Sequence, residues 1–409
     1  MNKPTMTRPM LSRWLTLIGI GEDGLAGLSP AARQLLSQAN FIAGGARHLA
    51  LLGPTKAETL AWPSPFERGI AEIAARRGTP VCVLASGDPF YYGVGATLAE
   101  SIDPDEMICL PAPSSLSLAA ARLGWPLQDC EVVSLHGRAF ERIIPHLRPK
   151  ARLLILSWDA TTPEKLARFL AARGLGGSRF IVLESLGGPR ERVRESKAEA
   201  FESGEVAALN LVAVEVAAAQ DTLFIPLTPG LPDDWFESDG QLTKREIRAV
   251  TLSSLAPWPG ALLWDIGAGA GSIGIEWMLS HPRNRAIAVE VQAGRAERVV
   301  RNAAALGVPD LDVRTGDAMT LMRKLPEPDA IFVGGGGGAV IDAAWTCLSV
   351  GRRFVANAVT IETQWLLAER QMQHGGELVS LSIAYPQNVG SYRSWRPAMP
   401  VVQWAVTKS

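Results

Sequence analysis

Cysteine is scarce and scattered. Cys82, Cys109, Cys130 and Cys347 lie far apart and form no C-x-x-C pair, which excludes a disulfide framework and a structural zinc site and fits reduced thiols in a cytosol. The five histidines are equally dispersed, without H-E-x-x-H or another ligand spacing, so no metal is expected. No apolar stretch approaches the roughly 18 residues of a membrane span. The polar start, Met1 to Arg13, carries Lys3, Pro4, Arg8 and Pro9 and lacks the apolar core of a signal peptide. A soluble cytoplasmic protein that does not engage a membrane is expected. Neither charge sign dominates: 40 Lys and Arg face 41 Asp and Glu, a formal net charge of −1, which gives no global pull towards nucleic acid. Aromatics, at 7%, are too few to favour an RNA-stacking groove. No internal repeat is evident.

What is abundant is apolar residue, 47% of 409, enough for two domains of roughly 200 residues each. From Trp14 onward, apolar strand-like runs alternate with helical segments, the mark of an α/β fold. In the first half, strands are predicted at Leu15–Ile20, Phe41–Ala43, Val81–Ala85, Met107–Leu110, Glu131–Leu135, Leu153–Leu156 and Arg179–Leu183, with helices at Pro30–Ala39, Phe66–Arg77 and Ser114–Leu123. Residues 226–240, PLTPGLPDDWFESDG, read as a linker. The domains are therefore set at 14–225 and 241–409.

The second half is more regular. Strands at Leu262–Ile266, Ala286–Val291, Leu311–Arg314, Ala330–Val333 and Arg353–Ala356 alternate with helices at Ser272–Ser280, Arg295–Leu306, Ala339–Leu348 and Ile361–His374. That pattern predicts a doubly wound, Rossmann-like parallel sheet. Glu377–Ala384 and Val401–Thr407 are expected to close it as a final pair with one antiparallel edge.

The strongest motif is Asp265-Ile266-Gly267-Ala268-Gly269-Ala270-Gly271-Ser272, directly after a strand and before a helix. Glycine is needed where backbone turns tightly and a ligand approaches main-chain N–H groups. The acid-first D-x-G-x-G-x-G spacing suits a methyltransferase better than a hydride carrier. One βα unit later Glu290 can accept two ribose hydroxyl protons, and Gly316-Asp317-Ala318 is placed to hold an adenine edge through Asp317. Gly334–Gly338 and Asn357-Ala358-Val359-Thr360 follow the next two strands; the glycines would let a bulky planar substrate lie against backbone. Neither segment matches the N-P-P-Y pattern of base-modifying enzymes.

In the first half, Gly19-Ile20-Gly21-Glu22-Asp23-Gly24-Leu25 closes the first strand, Gly87-Asp88-Pro89-Phe90-Tyr91-Tyr92-Gly93 follows a later one, and Pro113-Ser114-Ser115 opens a helix. In this order they resemble the tetrapyrrole (uroporphyrinogen-type) methylase family. The resemblance implies a kidney-shaped, two-subdomain α/β fold binding S-adenosylmethionine in the cleft, with Gly87, Asp88, Ser114 and Ser115 lining it. Glu22-Asp23 depart from the proline-glycine found in many members, which leaves substrate contacts at that loop open.

The two halves in this order resemble the bifunctional, decarboxylating precorrin methyltransferases of cobalamin biosynthesis. Further matching segments are Val133–Arg138, Leu183–Gly188, Gly230–Asp233 and Leu242–Arg248. The resemblance implies a small-molecule tetrapyrrole substrate, methylation of carbons 5 and 15 of precorrin-6Y, and loss of the ring-C acetate carboxyl to give precorrin-8X. It implies one S-adenosylmethionine site per domain: carbon 5 is assigned to the first domain, carbon 15 and decarboxylation to the second. Cofactor contacts would come from Gly87, Asp88, Ser114 and Ser115, and from Gly267, Gly269, Gly271, Glu290, Asp317 and Ala318, with Thr243 helping to cover the cofactor. Arginine suits carboxylate arms, so Arg245, Arg248, Arg393 and Arg396 are substrate candidates, with Asn357. No catalytic residue is singled out, the conjugated ring can act as electron sink, and a homo-oligomer is expected. A cobalt-containing substrate stays open, as does an RNA or protein methyltransferase with a binding module in front.

Overall fold

The computed structural model describes residues 13–202, 204–335 and 337–409; the proline-bearing start and Gly336 lie outside the described residues. The chain divides into two compact units. One takes the chain up to Gly137 with Pro149–Thr222, the other Arg138–Arg148 with Leu223–Ser409. Among the described residues, no helix is long and apolar enough to cross a membrane, and no three His, Cys, Asp or Glu side chains gather where they could hold a metal ion.

Unit one contains two sheets. The first has β1 (Leu15–Ile20), β2 (Phe41–Gly44), β3 (Glu58–Ala61), β4 (Val81–Ser86) and β5 (Met107–Leu110), all parallel in the order β3-β2-β4-β1-β5. Residues of β1 are buried throughout, as expected where helices cover both faces. Those helices include α1 (Pro30–Gln38), α2 (Ala46–Leu52), α3 (Glu67–Ala74), α4 (Val94–Leu98) and α5 (Ser115–Leu123). Ser29 starts α1 by accepting the Ala32 N–H, with Pro30 in the first turn. The chain leaves β1 towards β2 but leaves β4 towards β5, so strand order reverses between β4 and β1, the place where open α/β sheets bind ligands at the carboxyl ends.

The second sheet is mixed: β6 (Cys130–Ser134), β7 (Arg152–Leu156), β8 (Arg179–Glu184), β9 (Arg192–Lys197) and β10 (Asn210–Glu215), in the order β6-β7-β10-β8-β9, with α6 (Thr162–Ala172). Of the elements of unit one, the sequence reading lacks β3, β9, β10, α2, α4 and α6. Central β10, NLVAVE, is a short apolar run between polar ends, a pattern that periodicity alone does not assign. Edge strand β9, RVRESK, is charged and largely exposed, which protects an edge from further pairing.

Unit two has α7 (Arg245–Leu255), β11 (Leu262–Ile266), α8 (Ser272–Ser280), β12 (Arg285–Glu290), α9 (Ala293–Ala305), β13 (Asp312–Thr315), α10 (Ala318–Leu321), β14 (Ala330–Val333), α11 (Gly337–Cys347), β15 (Arg353–Ala358) and α12 (Ile361–His374). After them come β16 (Glu377–Leu381), β17 (Ala384–Val389), β18 (Tyr392–Pro397) and β19 (Val401–Thr407). The sheet order is β13-β12-β11-β14-β15-β19-β16, parallel through β15. The expected closing pair forms, but the antiparallel strand lies inside: β19 pairs with both β15 and β16. Mostly buried β19 takes the inner place, and exposed β16 takes the edge. Residues between them form a separate hairpin, β17–β18, absent from the sequence reading.

Part of the stretch read as a linker packs against the rest of unit two, while residues 227–229 and 237–240 are exposed. Leu231 and Phe236 are buried, and the N–H groups of Gly230 and Leu231 donate to the Glu276 carboxylate on α8 at 2.6 and 3.0 Å.

Candidate functional site

In unit two the acids gather at the carboxyl ends of β11 and β12. Asp265 is fully buried; its Oδ2 accepts the Gly274 N–H at 2.9 Å, while Oδ1 is buried without a hydrogen-bond partner. Burial pushes this carboxyl up to about 7, the Gly274 N–H opposes that rise, and the nearby Glu290 charge adds to it. The following turn needs its glycines: Gly267, Gly269 and Gly271 have φ of 74°, 60° and 78°, the left-handed region. A Cβ on Gly267 would lie 3.1 Å from the Gly335 nitrogen, and one on Gly271 2.5 Å from Val299. The turn is thus pressed between the loop after β14 and α9.

Glu290 ends β12, buried, and braces the turn. Its Oε2 accepts the Gly269 N–H at 2.9 Å and its Oε1 the Gln292 N–H at 3.0 Å. Each carboxylate oxygen has a second acceptor direction beside these bonds. Together with the partnerless Asp265 oxygen, this donor-poor, acceptor-rich edge suits a nucleoside bearing a cation. Asp317 is exposed and caps α10, its Oδ2 accepting from the Thr320 N–H and hydroxyl at 2.9 and 2.8 Å. Those bonds hold its carboxyl below the usual range. Ala318 is the first residue of α10, and the Thr243 carbonyl accepts from Arg248 Nη1 at 2.5 Å.

In unit one the three loops named from sequence converge. The Ala112 N–H donates to the Gly87 carbonyl at 3.0 Å. A Cβ on Gly19 would stand 1.8 Å from that same oxygen, and a Cβ on Gly87 2.6 Å from Ser114 Cα. The ends of β1, β4 and β5 therefore touch through backbone, and only glycine permits it. Asp88 Oδ1 accepts the Phe90 N–H at 2.8 Å, turning the loop so that Phe90, Tyr91 and Tyr92 are exposed. Ser114 caps α5 by accepting the Ser117 N–H at 3.2 Å, and Ser115 is exposed. From the second sheet the Leu183–Gly188 segment reaches this edge: a Cβ on Gly188 would come 2.5 Å from Glu22 Cβ.

A polar cluster here escapes the sequence reading. Arg47 pairs with Glu22 and donates to Ser86 Oγ at 2.7 Å, and His48 Nε2 lies 2.9 Å from the same oxygen. Burial first, then the Arg47 charge, lowers His48 to about 4. The available signal was Gly44-Gly45-Ala46-Arg47-His48, a glycine pair and two basic residues straight after a strand.

Both halves match known families. Residues 14–202 match the family model for tetrapyrrole (corrin/porphyrin) methylases, and residues 234–408 that for the precorrin methyltransferase domain. A Sinorhizobium precorrin-6Y C(5,15)-methyltransferase (decarboxylating) is 52% identical over 402 residues, spanning 98% of this chain and 97% of the relative. The chain belongs to the family of decarboxylating precorrin-6Y C(5,15)-methyltransferases. Its architecture is the tetrapyrrole methylase fold followed by a Rossmann-like methyltransferase fold. Two shorter relatives each cover one part of it. A cobalt-precorrin-7 C(5)-methyltransferase of Salmonella typhimurium is 33% identical over 44% of this chain and 88% of its own length. A probable cobalt-precorrin-6B C(15)-methyltransferase (decarboxylating) of Pyrobaculum aerophilum is 34% identical over 42% of this chain and 93% of its own length.

For a methyltransferase of this family, two of the substrate candidates are corrected by the structure. Arg248 is 0% exposed. It donates to Glu276 at 2.5 Å, Asp233 at 3.2 Å and the Leu231 carbonyl, so its cation serves the fold and meets no solvent. Asn357 donates to Thr251 Oγ1 and accepts from Gln403 Nε2, both at 2.9 Å, so both ends of its amide are engaged inside the unit. Arg245 is exposed at the start of α7. Arg393 and Arg396 are exposed on β18 beside Tyr392 and Trp395. The hairpin is tied to α7 by the Tyr385 hydroxyl donating to Glu246 at 2.6 Å, which brings these three arginines onto linked elements.

Proposed function

We propose that each unit holds its own S-adenosylmethionine and that the two divide the reaction, unit one methylating carbon 5 and unit two methylating carbon 15 with decarboxylation. The activity as a whole is S-adenosylmethionine-dependent methylation of precorrin-6Y at carbons 5 and 15 with loss of carbon dioxide, in cobalamin biosynthesis. The observation that carries the division is that each unit gathers, at its strand ends, loops that only glycine permits. It is supported by the two half-length relatives, one named for carbon 5 and one for carbon 15.

The bound cofactor supplies an electrophilic methyl on a sulfonium. In unit two the Gly267–Gly271 turn offers backbone to its amino-acid end, Glu290 accepts from the ribose, and Asp317 and Ala318 border the base. In unit one Gly87, Asp88, Ser114 and Ser115 border the corresponding cleft. An electron-rich meso carbon needs alignment and exclusion of water more than a strong base, and a cleft holding one meso carbon about 3–3.5 Å from the methyl cannot also hold the opposite one of a rigid macrocycle. Arg245, Arg393 and Arg396 would meet the carboxylate arms.

Calorimetric titration with S-adenosylhomocysteine should give two sites per chain. Gly269→Arg should remove one site and stop carbon dioxide release. Asp88→Ala with Ser115→Trp should remove the other and leave decarboxylation with a single methyl added. Release of carbon dioxide that follows the unit-one lesion would refute the division. Because both half-length relatives are named for cobalt-precorrins, a cobalt-containing substrate is the second reading, and parallel assays with metal-free and cobalt forms decide between them.

A further inference from the structure

The chain between Glu237 and Thr243 runs along α9 and then against the glycine turn. A Cβ on Gly269 would meet the Gln241 carbonyl at 3.1 Å. Four side chains of α9 hold this strap: Arg301 pairs with Glu237 at 2.9 Å, and Arg295, Arg298 and Asn302, spaced by three and four residues, share one face of the helix. Asp239 sits between Arg295 at 2.8 Å and Arg298 at 3.3 Å, and these cations, with the Gln241 N–H, lower its carboxyl to about 2. Asn302, 2% exposed, makes three bonds. Its Oδ1 accepts the Glu237 N–H at 2.9 Å, and its Nδ2 donates to the Glu237 carbonyl at 3.0 Å and to the Ala270 carbonyl at 2.9 Å. Ala270 belongs to the glycine turn itself. One buried amide therefore clamps the strap and the turn together.

We propose that Asn302 is a positioning residue for the methyl donor of unit two, with Asp239 as its outer support; the proposal rests on the assignment of the glycine turn to that donor. Asn302 touches no ligand-facing surface. It acts by fixing the path of the Ala268–Gly271 backbone, whose Ala270 carbonyl it holds, and by keeping Gln241 against Gly269. A turn of three glycines in the left-handed region has little conformational preference of its own, so its shape must be imposed from outside. A buried side-chain amide with all its bonds satisfied imposes one geometry, because every alternative leaves a polar group unpaired.

The test uses the full chain and S-adenosylhomocysteine, with each site resolved by calorimetry. Asn302→Asp keeps size and the bond from the Glu237 N–H but turns two donors into acceptors facing carbonyls. It should weaken the unit-two site by about tenfold or more and leave the unit-one site within about twofold. The KM for the methyl donor in carbon dioxide release should rise more than kcat falls. Glu237 amide exchange should quicken in the ligand-free protein. Asp239→Asn, a part-exposed change that spares the core, should weaken the same site by about threefold and make its affinity less sensitive to added salt than that of the unchanged protein. Unaltered unit-two affinity in Asn302→Asp, or equal weakening of both sites, overturns the proposal. Should Asn302→Asp fail to fold, unaltered affinity in Asp239→Asn overturns it alone. Gly269→Arg is the control: two sites remaining there would overturn the site assignment and this proposal with it. One site remaining there, with unaltered affinity in Asn302→Asp, overturns the proposal only.

Discussion

At the carboxyl ends of β1, β4 and β5 the loops are held by backbone meeting backbone, with the Gly87 carbonyl wedged against Gly19 and Ala112. At the ends of β11 and β12 they are held by buried side chains: Asp265, Glu290 and Asn302 each bond to the turn or to the helix that follows it. The ionisable groups reflect this. In unit one a half-buried histidine is kept neutral beside a cation, with His48 lowered to about 4. In unit two a buried acid is pushed up to about 7 at Asp265. Loops at strand ends can thus be shaped either by close approach, which demands particular glycines, or by interior polar groups, which demand particular partners.

The largest expected break in this comparison is Arg248→Met. It leaves Glu276 buried with two N–H partners but no cation, and removal of one partner of a buried pair costs roughly 3–5 kcal/mol. In denaturant unfolding the loss should fall on unit two and spare unit one; an equal loss in both would mean that the ion pair does not belong to one unit's core.

Gly19→Ala probes the other style of site. A methyl 1.8 Å from the Gly87 oxygen forces the loops apart at a cost of about 1–3 kcal/mol. Carbon-5 methylation should be lost while carbon dioxide release continues. Retained carbon-5 methylation would show that the backbone contact is dispensable.

Glu290→Ala should cost the unit-two site a bond of roughly 1.5–3 kcal/mol, or tenfold and more in affinity for S-adenosylhomocysteine. The melting of unit one should not move. Affinity within twofold of the starting protein would remove Glu290 from the site.

The smallest effect sharpens the contrast through pH. His48 is depressed from 6.5 to about 4, so the stability it contributes is present above 6.5 and is lost as pH falls towards 4. Asp265 is raised from 3.8 to about 7, so the stability it contributes is present below 3.8 and is lost as pH rises towards 7. Going from pH 7 to pH 5, His48 should lower the melting temperature of unit one while Asp265 raises that of unit two. His48→Gln and Asp265→Asn should each flatten only its own unit's response in scanning calorimetry. Shifts of the same sign in both units would sink the comparison.

Much of this was legible in advance because the signals are local. The acid-first glycine turn, Glu290 one βα unit later, and β11, β14, α8 and α12 at their observed bounds all follow from short stretches in which pattern and burial agree. The hairpin β17–β18 was not legible, since its exposed, mixed strands have no apolar alternation. Arg248 and Asn357 were misread for a related reason. An arginine or asparagine near a motif carries the same letter whether it faces a ligand or a partner 28 or 46 residues away.

By itself the sequence determined the α/β class, the two halves, their order, and which strand ends carry glycine and acid. These depend on apolar periodicity and on the backbone freedom of single residues, both properties of neighbours along the chain. Only the tertiary structure decided that residues 237–243 run as a strap along α9, that β19 lies inside β16, that Asp317 caps a helix, and that Asn302 joins strap to turn. Each of those depends on whether a polar group finds its partner across tens of residues once water is excluded. That pairing is a property of the folded interior.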